Sequence, residues 1–159
     1  MPDLRDCDAI DLKLLMALQR DAGRTNEELA AEVALSPSAI ARRIRRLRET
    51  GVIDRDVAVL ADQAVKLLSI MVDIQLDRHA LPEVEALIRR LQACDEVQLL
   101  LQITGTFDLT LLVSVPDMDA FNAFVDTMLG SDRVVRRYES RFVKKQRKFS
   151  TAIPLGAED

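Results

Sequence analysis

The sequence is poor in the residues that build metal and redox sites. It contains two cysteines, Cys7 and Cys94, one histidine, His79, and no CxxC spacing. It therefore supports neither a zinc site nor a disulfide framework. No apolar run is long enough to span a bilayer and no signal peptide is evident, which predicts a soluble protein of a reducing cytoplasm without a membrane partner.

Charge is distributed unevenly along the chain. The 159 residues are 48% hydrophobic and 30% charged, which suits two small domains, and the net charge is −4. Residues 36–55 hold six arginines against two carboxylates, and residues 133–148 hold eight basic residues against one acidic residue. Because phosphate contacts depend on the local field, the acidic average does not argue against a nucleic-acid partner.

The stretch Leu35–Ile53 (LSPSAIARRIRRLRETGVI) has the start and stop signals of a single helix. Ser36 is a natural N-cap, and Pro37 sits at the first helical position, where a missing N–H costs nothing. Gly51 marks the end of the helix. The core side is predicted to carry Ile40, Ile44 and Leu47, and the opposite side Ser38, Arg42, Arg45 and Arg46.

This helix presents a cationic side that has two possible explanations. Charged helix faces are usually solvated surface. A solvated helix, however, normally mixes charges of both signs, whereas acidic residues are scarce between Leu35 and Asp54. The imbalance favours contact with nucleic acid, through a helix that enters a DNA groove.

Two upstream helices complete the unit. Thr25 and Glu28 form a capping box at the start of Thr25–Val33, and apolar residues recur at helical spacing from Ile10 to Leu18. Together with the arginine-rich helix they predict a helix-turn-helix. The segment Val57–Leu60 is expected to form a short wing strand.

From Leu67 onward, residues alternate as in strands. The element order predicts an α+β fold in which a winged helix-turn-helix precedes a ferredoxin-like βαββαβ domain. The predicted domains are 1–56 (DNA binding), 57–66 (wing and linker), 67–148 (effector binding and oligomerisation) and 149–159 (tail). The predicted elements are a strand over 69–76, a helix over 81–93, strands over 97–103 and 107–115 joined by a hairpin at 104–106, a helix from 116 or 117 to 129, and a strand over 134–143.

One predicted strand has apolar side chains on both of its sides. These are Leu99, Leu100, Leu101 and Ile103. Because both helices of such a domain cover the same face of the sheet, the other face needs a cover of its own, and a second copy of the sheet is the simplest candidate. A homodimer also suits helix-turn-helix modules, which read paired half-sites.

The chain resembles the Lrp/AsnC (leucine-responsive, feast/famine) family of transcriptional regulators over nearly its full length, and three segments carry the resemblance. They are Leu35–Ile53, Ile103–Val113 (ITGTFDLTLLV) and Phe142–Leu155 (FVKKQRKFSTAIPL). The resemblance implies a winged helix-turn-helix and a ferredoxin-like domain that dimerises. It also implies assembly into octamers or related rings that bind amino acids between dimers.

The resemblance also implies where an effector binds. Gly105 and Asp108 match the family's G-x-x-D loop, and Thr104, Thr106 and Phe107 line the same turn. A glycine turn can receive a carboxylate on its N–H groups, while a side-chain carboxylate pairs with an α-ammonium. Alternatively, Asp108 only ties down its own hairpin. The remaining candidates on the last strand are Tyr138 and Ser140; Tyr138 stands where the family often has a small hydroxyl residue.

The basic run 133–148 has two explanations as well. Lysines and arginines on an edge strand discourage aggregation, which is the explanation we favour. The other is an accessory phosphate surface for DNA that wraps around an assembly.

The expected function is a sequence-specific transcriptional regulator of amino-acid metabolism that responds to an amino acid or related small metabolite through its C-terminal domain. It is expected in the cytoplasm at the nucleoid, with no catalytic residues, cofactor or metal. Arg42 and Ser38 are predicted to contact base edges. Phosphate contacts are expected from Arg43, Arg45 and Arg46, with Ser36 at the helix start. The alternatives are an enzyme similar to siroheme decarboxylases, for which only His79 is available, and a DNA-organising protein without an effector.

Overall fold

The computed structural model describes residues 3–61, 64–77 and 81–155. His79 lies outside these residues. The chain divides into two compact units. One comprises the described parts of Met1–Val59 and Lys148–Asp159, and the other comprises the described parts of Leu60–Arg147.

The first unit is a bundle of three helices, which confirms the predicted helix-turn-helix. The helices are α1 (Ala9–Arg20), α2 (Asn26–Val33) and α3 (Pro37–Glu49), preceded by a 3-10 turn at Leu4–Asp6. Their shared core contains Leu14, Ala17, Leu29, Ile40 and Ile44. The apolar spacing predicted from the sequence therefore faces inward on all three helices.

Local capping sets the helix boundaries as predicted. The Thr25 hydroxyl accepts from the Glu28 N–H at 3.2 Å, and the Glu28 carboxylate accepts from the Thr25 N–H at 2.8 Å. The Ser36 hydroxyl accepts from the Ala39 N–H at 3.3 Å. Gly51, after α3, has a φ of 76°, a left-handed conformation that glycine adopts at little cost.

The prediction of a wing strand at Val57–Leu60 is wrong, because these described residues form no strand. Val57, Val59 and Leu60 are exposed and lie outside any strand. A wing requires a second strand to satisfy its backbone groups, and no strand is formed between residues 3 and 61. The apolar character of this segment is a local signal, whereas strand pairing depends on a partner.

The end of the described chain belongs to the first unit. The Gln19 side chain on α1 pairs with the backbone of Ile153, accepting from its N–H at 2.6 Å and donating to its carbonyl at 3.2 Å. The Gln19 amide thus satisfies both the N–H and the carbonyl of Ile153. These two bonds anchor the described end of the tail on the three-helix unit.

The second unit has the predicted βαββαβ order. Its elements are β1 (Leu68–Leu76), α4 (Leu81–Gln92), β2 (Val97–Gln102), β3 (Leu109–Val115), α5 (Met118–Val125) and β4 (Val135–Phe142). The strands form an antiparallel sheet in the order β2-β3-β1-β4. A wider π-type turn at Asp126–Gly130 continues α5, and the sequence does not signal it.

Both helices cover one face of this sheet, called here the helix side. The core there is built from alternate strand residues, among them Ile70, Val72 and Ile74 on β1, packed with Leu87 of α4 and Phe124 of α5. The residues between them point to the other face, called here the open face. On β2, Leu100 packs into the core, whereas Leu99 and Leu101 remain exposed on the open face, as predicted.

Candidate DNA-binding face and effector hairpin

The outward side of α3 presents two arginines. Arg42 and Arg45 are exposed and make no ion pair or hydrogen bond with any residue that the structure describes. Ser38 lies on the same side, because helix positions 38, 42 and 45 differ by at most about 60° around the axis. Its hydroxyl is 3.1 Å from that of Ser36, the N-cap. Three of the predicted contact residues therefore share one exposed face.

Arg43 and Arg46 are held by α1 instead. Arg43 Nη1 donates to Asp8 Oδ2 at 2.7 Å and to Asp11 Oδ1 at 2.9 Å. Arg46 Nη2 donates to the other carboxylate oxygen of Asp11. The Asp11 side chain is only 1% exposed, so both guanidinium groups serve a buried charge. The helical wheel placed Arg46 with the outward arginines, and the structure separates it from them.

The acidic partners also cap α1. The Asp11 N–H donates to Asp8 Oδ1 at 2.8 Å, and the Asp8 N–H donates to Asp11 Oδ2 at 3.2 Å. The pKa of Asp8 is lowered mainly by the hydrogen bond that its carboxylate accepts from the Asp11 N–H, and next by the bond from the Arg43 guanidinium. The pKa of Arg43 is raised mainly by its hydrogen bond to the Asp8 carboxylate, and next by its hydrogen bond to the Asp11 carboxylate. We call these four residues the α1–α3 clamp: Asp8, Asp11, Arg43 and Arg46.

The hairpin between β2 and β3 presents backbone donors to solvent. Thr104, Gly105 and Thr106 are exposed, and the N–H groups from Thr104 to Phe107 make no hydrogen bond within the described residues. Gly105 has a φ of 127°, and a Cβ placed on it would meet no atom within 4 Å. A turn of this kind can receive an anionic group.

Asp108 ties this hairpin to the end of β1. Its Oδ2 accepts from the Leu76 N–H at 2.8 Å, and its own N–H donates to the Ile74 carbonyl at 2.8 Å. These bonds directly support the structural explanation for Asp108. Beside it, the Arg137 guanidinium lies 5.1 Å from the centre of the Phe107 ring.

Tyr138 and Ser140 lie on a different part of the sheet. Tyr138 pairs with Ile74 and Ser140 with Val72, which places both on the helix side of β4. Strand β1 separates β4 from the hairpin strand β3, a backbone spacing of about 9.5 Å. Within one chain, the structure does not bring these two residues together with the glycine turn. The Ser140 hydroxyl is buried and has no hydrogen-bond partner within the described ranges.

Among residues 3–61, 64–77 and 81–155, no group of three His, Cys, Asp or Glu side chains is placed to hold a metal ion. No helix there is sufficiently long and apolar to cross a membrane.

Comparison with known proteins identifies both units. The family model of the Lrp/AsnC ligand-binding domain matches residues 69–153. The chain belongs to the Lrp/AsnC family. A winged helix-turn-helix DNA-binding model matches residues 8–54. The protein is therefore a helix-turn-helix transcriptional regulator of the Lrp/AsnC type.

Three relatives illustrate this membership. The leucine-responsive regulatory protein of Escherichia coli is 34% identical over 126 residues, which cover 79% of this chain and 77% of that protein. An AsnC family transcriptional regulator from Agrobacterium tumefaciens has a TM-score of 0.84 and 31% identity, covering 93% and 97% of the two chains. A Neisseria meningitidis regulator, solved as an L-Met complex, has a TM-score of 0.82 and 32% identity, with 93% and 96% covered.

The sheet of this Lrp/AsnC protein holds a polar cluster that the sequence analysis missed. Asp73 on the open face of β1 is buried, accepts from the Thr110 hydroxyl and pairs with Arg141 of β4. The signal in the sequence was a single aspartate in the otherwise mostly apolar strand β1. If such a carboxylate is buried, it needs polar partners from neighbouring strands.

That pairing also reduces the free charge of the basic run. Arg141 forms an ion pair with Asp73, and Arg137 Nη2 lies 3.5 Å from Glu139 Oε1. β4 is an edge strand of the sheet, and Lys144 and Lys145 beyond its end are exposed. These positions fit both explanations given above for the run.

Proposed function

We propose that this regulator binds DNA sequence-specifically by inserting α3 into successive major grooves. Arg42 and Ser38 read base edges near the helix start, Arg45 contacts phosphate, and Ser36 positions that start as its cap. The observation that carries this proposal is the shared exposed side of α3, on which Arg42 and Arg45 are not neutralised by any described residue. Arg43 and Arg46 were also predicted as phosphate contacts, and the clamp gives them a competing role.

The test is a salt titration of DNA binding by fluorescence anisotropy. A duplex selected from a random library by the wild-type protein serves as the specific site, and a mixed-sequence duplex serves as the competitor. Arg42→Ala should reduce the preference for the selected duplex by about 1–3 kcal/mol. Arg24→Gln is the matched control, because Arg24 is not part of α3. Its Nη2 pairs with Glu32 Oε1 at 2.6 Å. An unchanged preference in the Arg42 variant would exclude base reading by this residue.

We further propose an amino acid as the effector, bound at Thr104–Asp108. The glycine turn offers unused N–H groups for a carboxylate. The Neisseria meningitidis regulator was solved with L-methionine, and so was a feast or famine regulatory protein of M. tuberculosis at 28% identity. Because Tyr138 and Ser140 lie away from the turn within one chain, we propose that they contribute from a neighbouring copy.

A thermal-shift screen of the twenty amino acids tests the effector. A ligand present at 100 times its Kd stabilises the folded state by about 2.7 kcal/mol. The proposal requires that at least one amino acid raise the melting temperature and that Gly105→Ala reduce the shift. If no amino acid acts, a DNA-organising protein without an effector becomes the better description.

The assembly we propose is a homodimer that associates further into an octamer or similar ring. Leu99, Leu101 and Ile103 give the open face an exposed apolar edge that a second copy would cover. An effector bound between dimers would then change the spacing of the recognition helices, a coupling of about 1–3 kcal/mol.

The cellular role that follows is regulation of amino-acid metabolism at the nucleoid, and hence a cytoplasmic location. The relatives are transcriptional regulators, and we propose that the protein has no enzymatic activity. Absence of a Soret band from the purified protein would argue against the siroheme-decarboxylase alternative. Mapping binding sites across the host genome would test the regulatory role directly.

A further inference from the structure

The α1–α3 clamp divides the arginines of α3 into two pairs. Arg42 and Arg45 are unpaired among the described residues, whereas Arg43 and Arg46 bind a carboxylate that is almost fully buried. In each pair the members are three residues apart, so their side chains lie on the same side of the helix. The four arginines differ in their partners and not in their spacing.

We infer that Asp11 is a positioning residue for DNA recognition: it withholds Arg43 and Arg46 from phosphate and fixes the rotation of α3 that presents Arg42 and Arg45. This inference rests on the proposed DNA contact by α3. It assigns Arg43 and Arg46 a different role from the phosphate contacts predicted from the sequence.

The geometry supports a fixed rotation rather than a loose attraction. Asp11 uses both of its carboxylate oxygens, one toward Arg43 and one toward Arg46. Asp8 adds a bond to Arg43 at 2.7 Å, and its own position is fixed by the capping box with Asp11. Two arginines from adjacent turns of α3 are thus bound to one point on the first turn of α1, which restricts both rotation and sliding of α3.

The clamp also limits the number of phosphate contacts. Each lysine or arginine that neutralises a phosphate adds about 0.9 to the slope of log K against log[salt]. A guanidinium already bonded to carboxylates gains little from a phosphate, because it must first break charge-assisted bonds. Removing the charge of Asp11 should therefore release Arg43 and Arg46 to phosphate and increase binding to DNA of any sequence.

The first experiment compares the wild-type protein with Asp11→Asn. Binding of the full-length chain to a fluorescein-labelled mixed-sequence duplex is measured by anisotropy between about 50 and 200 mM KCl. The slope should become steeper by about 0.9 for each released arginine, up to about 1.8 per protomer, and binding at the lowest salt should tighten. A carboxylate that only stabilised the fold would weaken binding at all salt concentrations and leave the slope unchanged, which would overturn the inference.

A set of matched variants keeps the inference testable if Asp11→Asn unfolds, which circular dichroism would reveal. Arg42, Arg43, Arg45 and Arg46 are each replaced by Gln in the otherwise wild-type chain. Arg45→Gln should reduce the slope by about 0.9 per protomer, whereas Arg43→Gln and Arg46→Gln should leave it unchanged. Equal reductions at positions 43, 45 and 46 would show that the clamped arginines reach phosphate and would overturn the inference.

The same set separates this inference from the proposed function. If no arginine variant changes the slope, α3 does not contact DNA and the proposed function fails. If Arg45→Gln reduces the slope while Asp11→Asn, shown to be folded, does not increase it, only the positioning role fails. The triple variant Asp11→Asn, Arg43→Gln, Arg46→Gln should lose the steeper slope of Asp11→Asn, because it contains no arginine to release.

Discussion

The open face of the sheet provides a quantitative test of the proposed homodimer. Leu99, Leu101 and Ile103 lie along β2 and its end, and their exposed fractions are 40%, 45% and 37%. Full burial of a leucine stabilises by about 1.5–3 kcal/mol, so covering the exposed part of Leu101 contributes about 0.7–1.4 kcal/mol in each protomer. Replacing Leu101 in both protomers therefore removes about 1.4–2.7 kcal/mol of association free energy.

Leu101→Glu adds a second penalty to this loss. It places a carboxylate on the apolar edge of each sheet, where two like charges would have to leave water together. We expect the dimer to weaken by at least about 2 kcal/mol, which corresponds to about a 30-fold increase in its dissociation constant. The physical reason is the loss of apolar burial together with the desolvation of an unpaired charge.

Sedimentation equilibrium over a range of protein concentrations measures this change. Leu81→Glu is the matched control, because Leu81 on α4 is 68% exposed and lies outside the open face. The control should associate like the wild-type protein. If Leu101→Glu associates as tightly as Leu81→Glu, the open face is not the dimer interface and the reasoning fails.

Three further predictions concern stability. Leu87→Ala should destabilise the second unit by about 2–5 kcal/mol in urea unfolding, because Leu87 is fully buried in the core; a loss below 1 kcal/mol would contradict that packing. Gly105→Ala should cost about 1–3 kcal/mol through backbone strain alone, since a Cβ there has space; a melting temperature equal to that of the wild-type protein would refute the strain. Asp8→Asn keeps the N-cap and removes the charge. Because the pKa of Asp8 is lowered on folding, the wild-type advantage should be present above about pH 4 and disappear as pH falls through the lowered pKa. It should remain below about 1 kcal/mol, since the side chain is half-exposed, and an advantage that grew toward acid pH would contradict the shift.

Local chemistry made much of the fold predictable. The caps at Thr25 and Ser36 use partners three residues away, so the sequence contains both halves of each interaction. The alternation along β1 and the apolar stripe on α4 depend on single-element periodicity. The sheet order follows from the βαββαβ pattern, because few arrangements satisfy the handedness of its connections.

Interactions between distant residues were not predictable in the same way. Asp11 lies 32 and 35 residues from Arg43 and Arg46, and the helical wheel groups Arg46 with the outward Arg42 and Arg45. The wing failed for a related reason, because Val57–Leu60 has strand-forming residues and no pairing strand. The candidate effector residues at Tyr138 and Ser140 could be placed on β4 from the sequence. Their separation from the glycine turn depends on β1 lying between the strands.

The arginine partners also determine how strongly DNA binding should depend on salt. Four of the six arginines in residues 36–55 have acidic partners within 4 Å. Only Arg42 and Arg45 have none among the described residues. A single phosphate contact per recognition segment, from Arg45, weakens binding about 3.5-fold between 50 and 200 mM salt, whereas contacts from all six arginines would weaken it about 2,000-fold.

This difference can be measured without disturbing the buried clamp. The double variant Arg42→Gln, Arg45→Gln should lose the whole phosphate contribution of α3, a slope of about 0.9 per protomer from Arg45. Adding Arg48→Gln should then change the slope no further, because Arg48 is bound to Asp56 at 2.7 Å. A further decrease of about 0.9 on that third substitution would show that surface pairs open to reach phosphate. The number of DNA contacts would then follow the arginine count of the sequence, and the partners seen in the structure would not limit it.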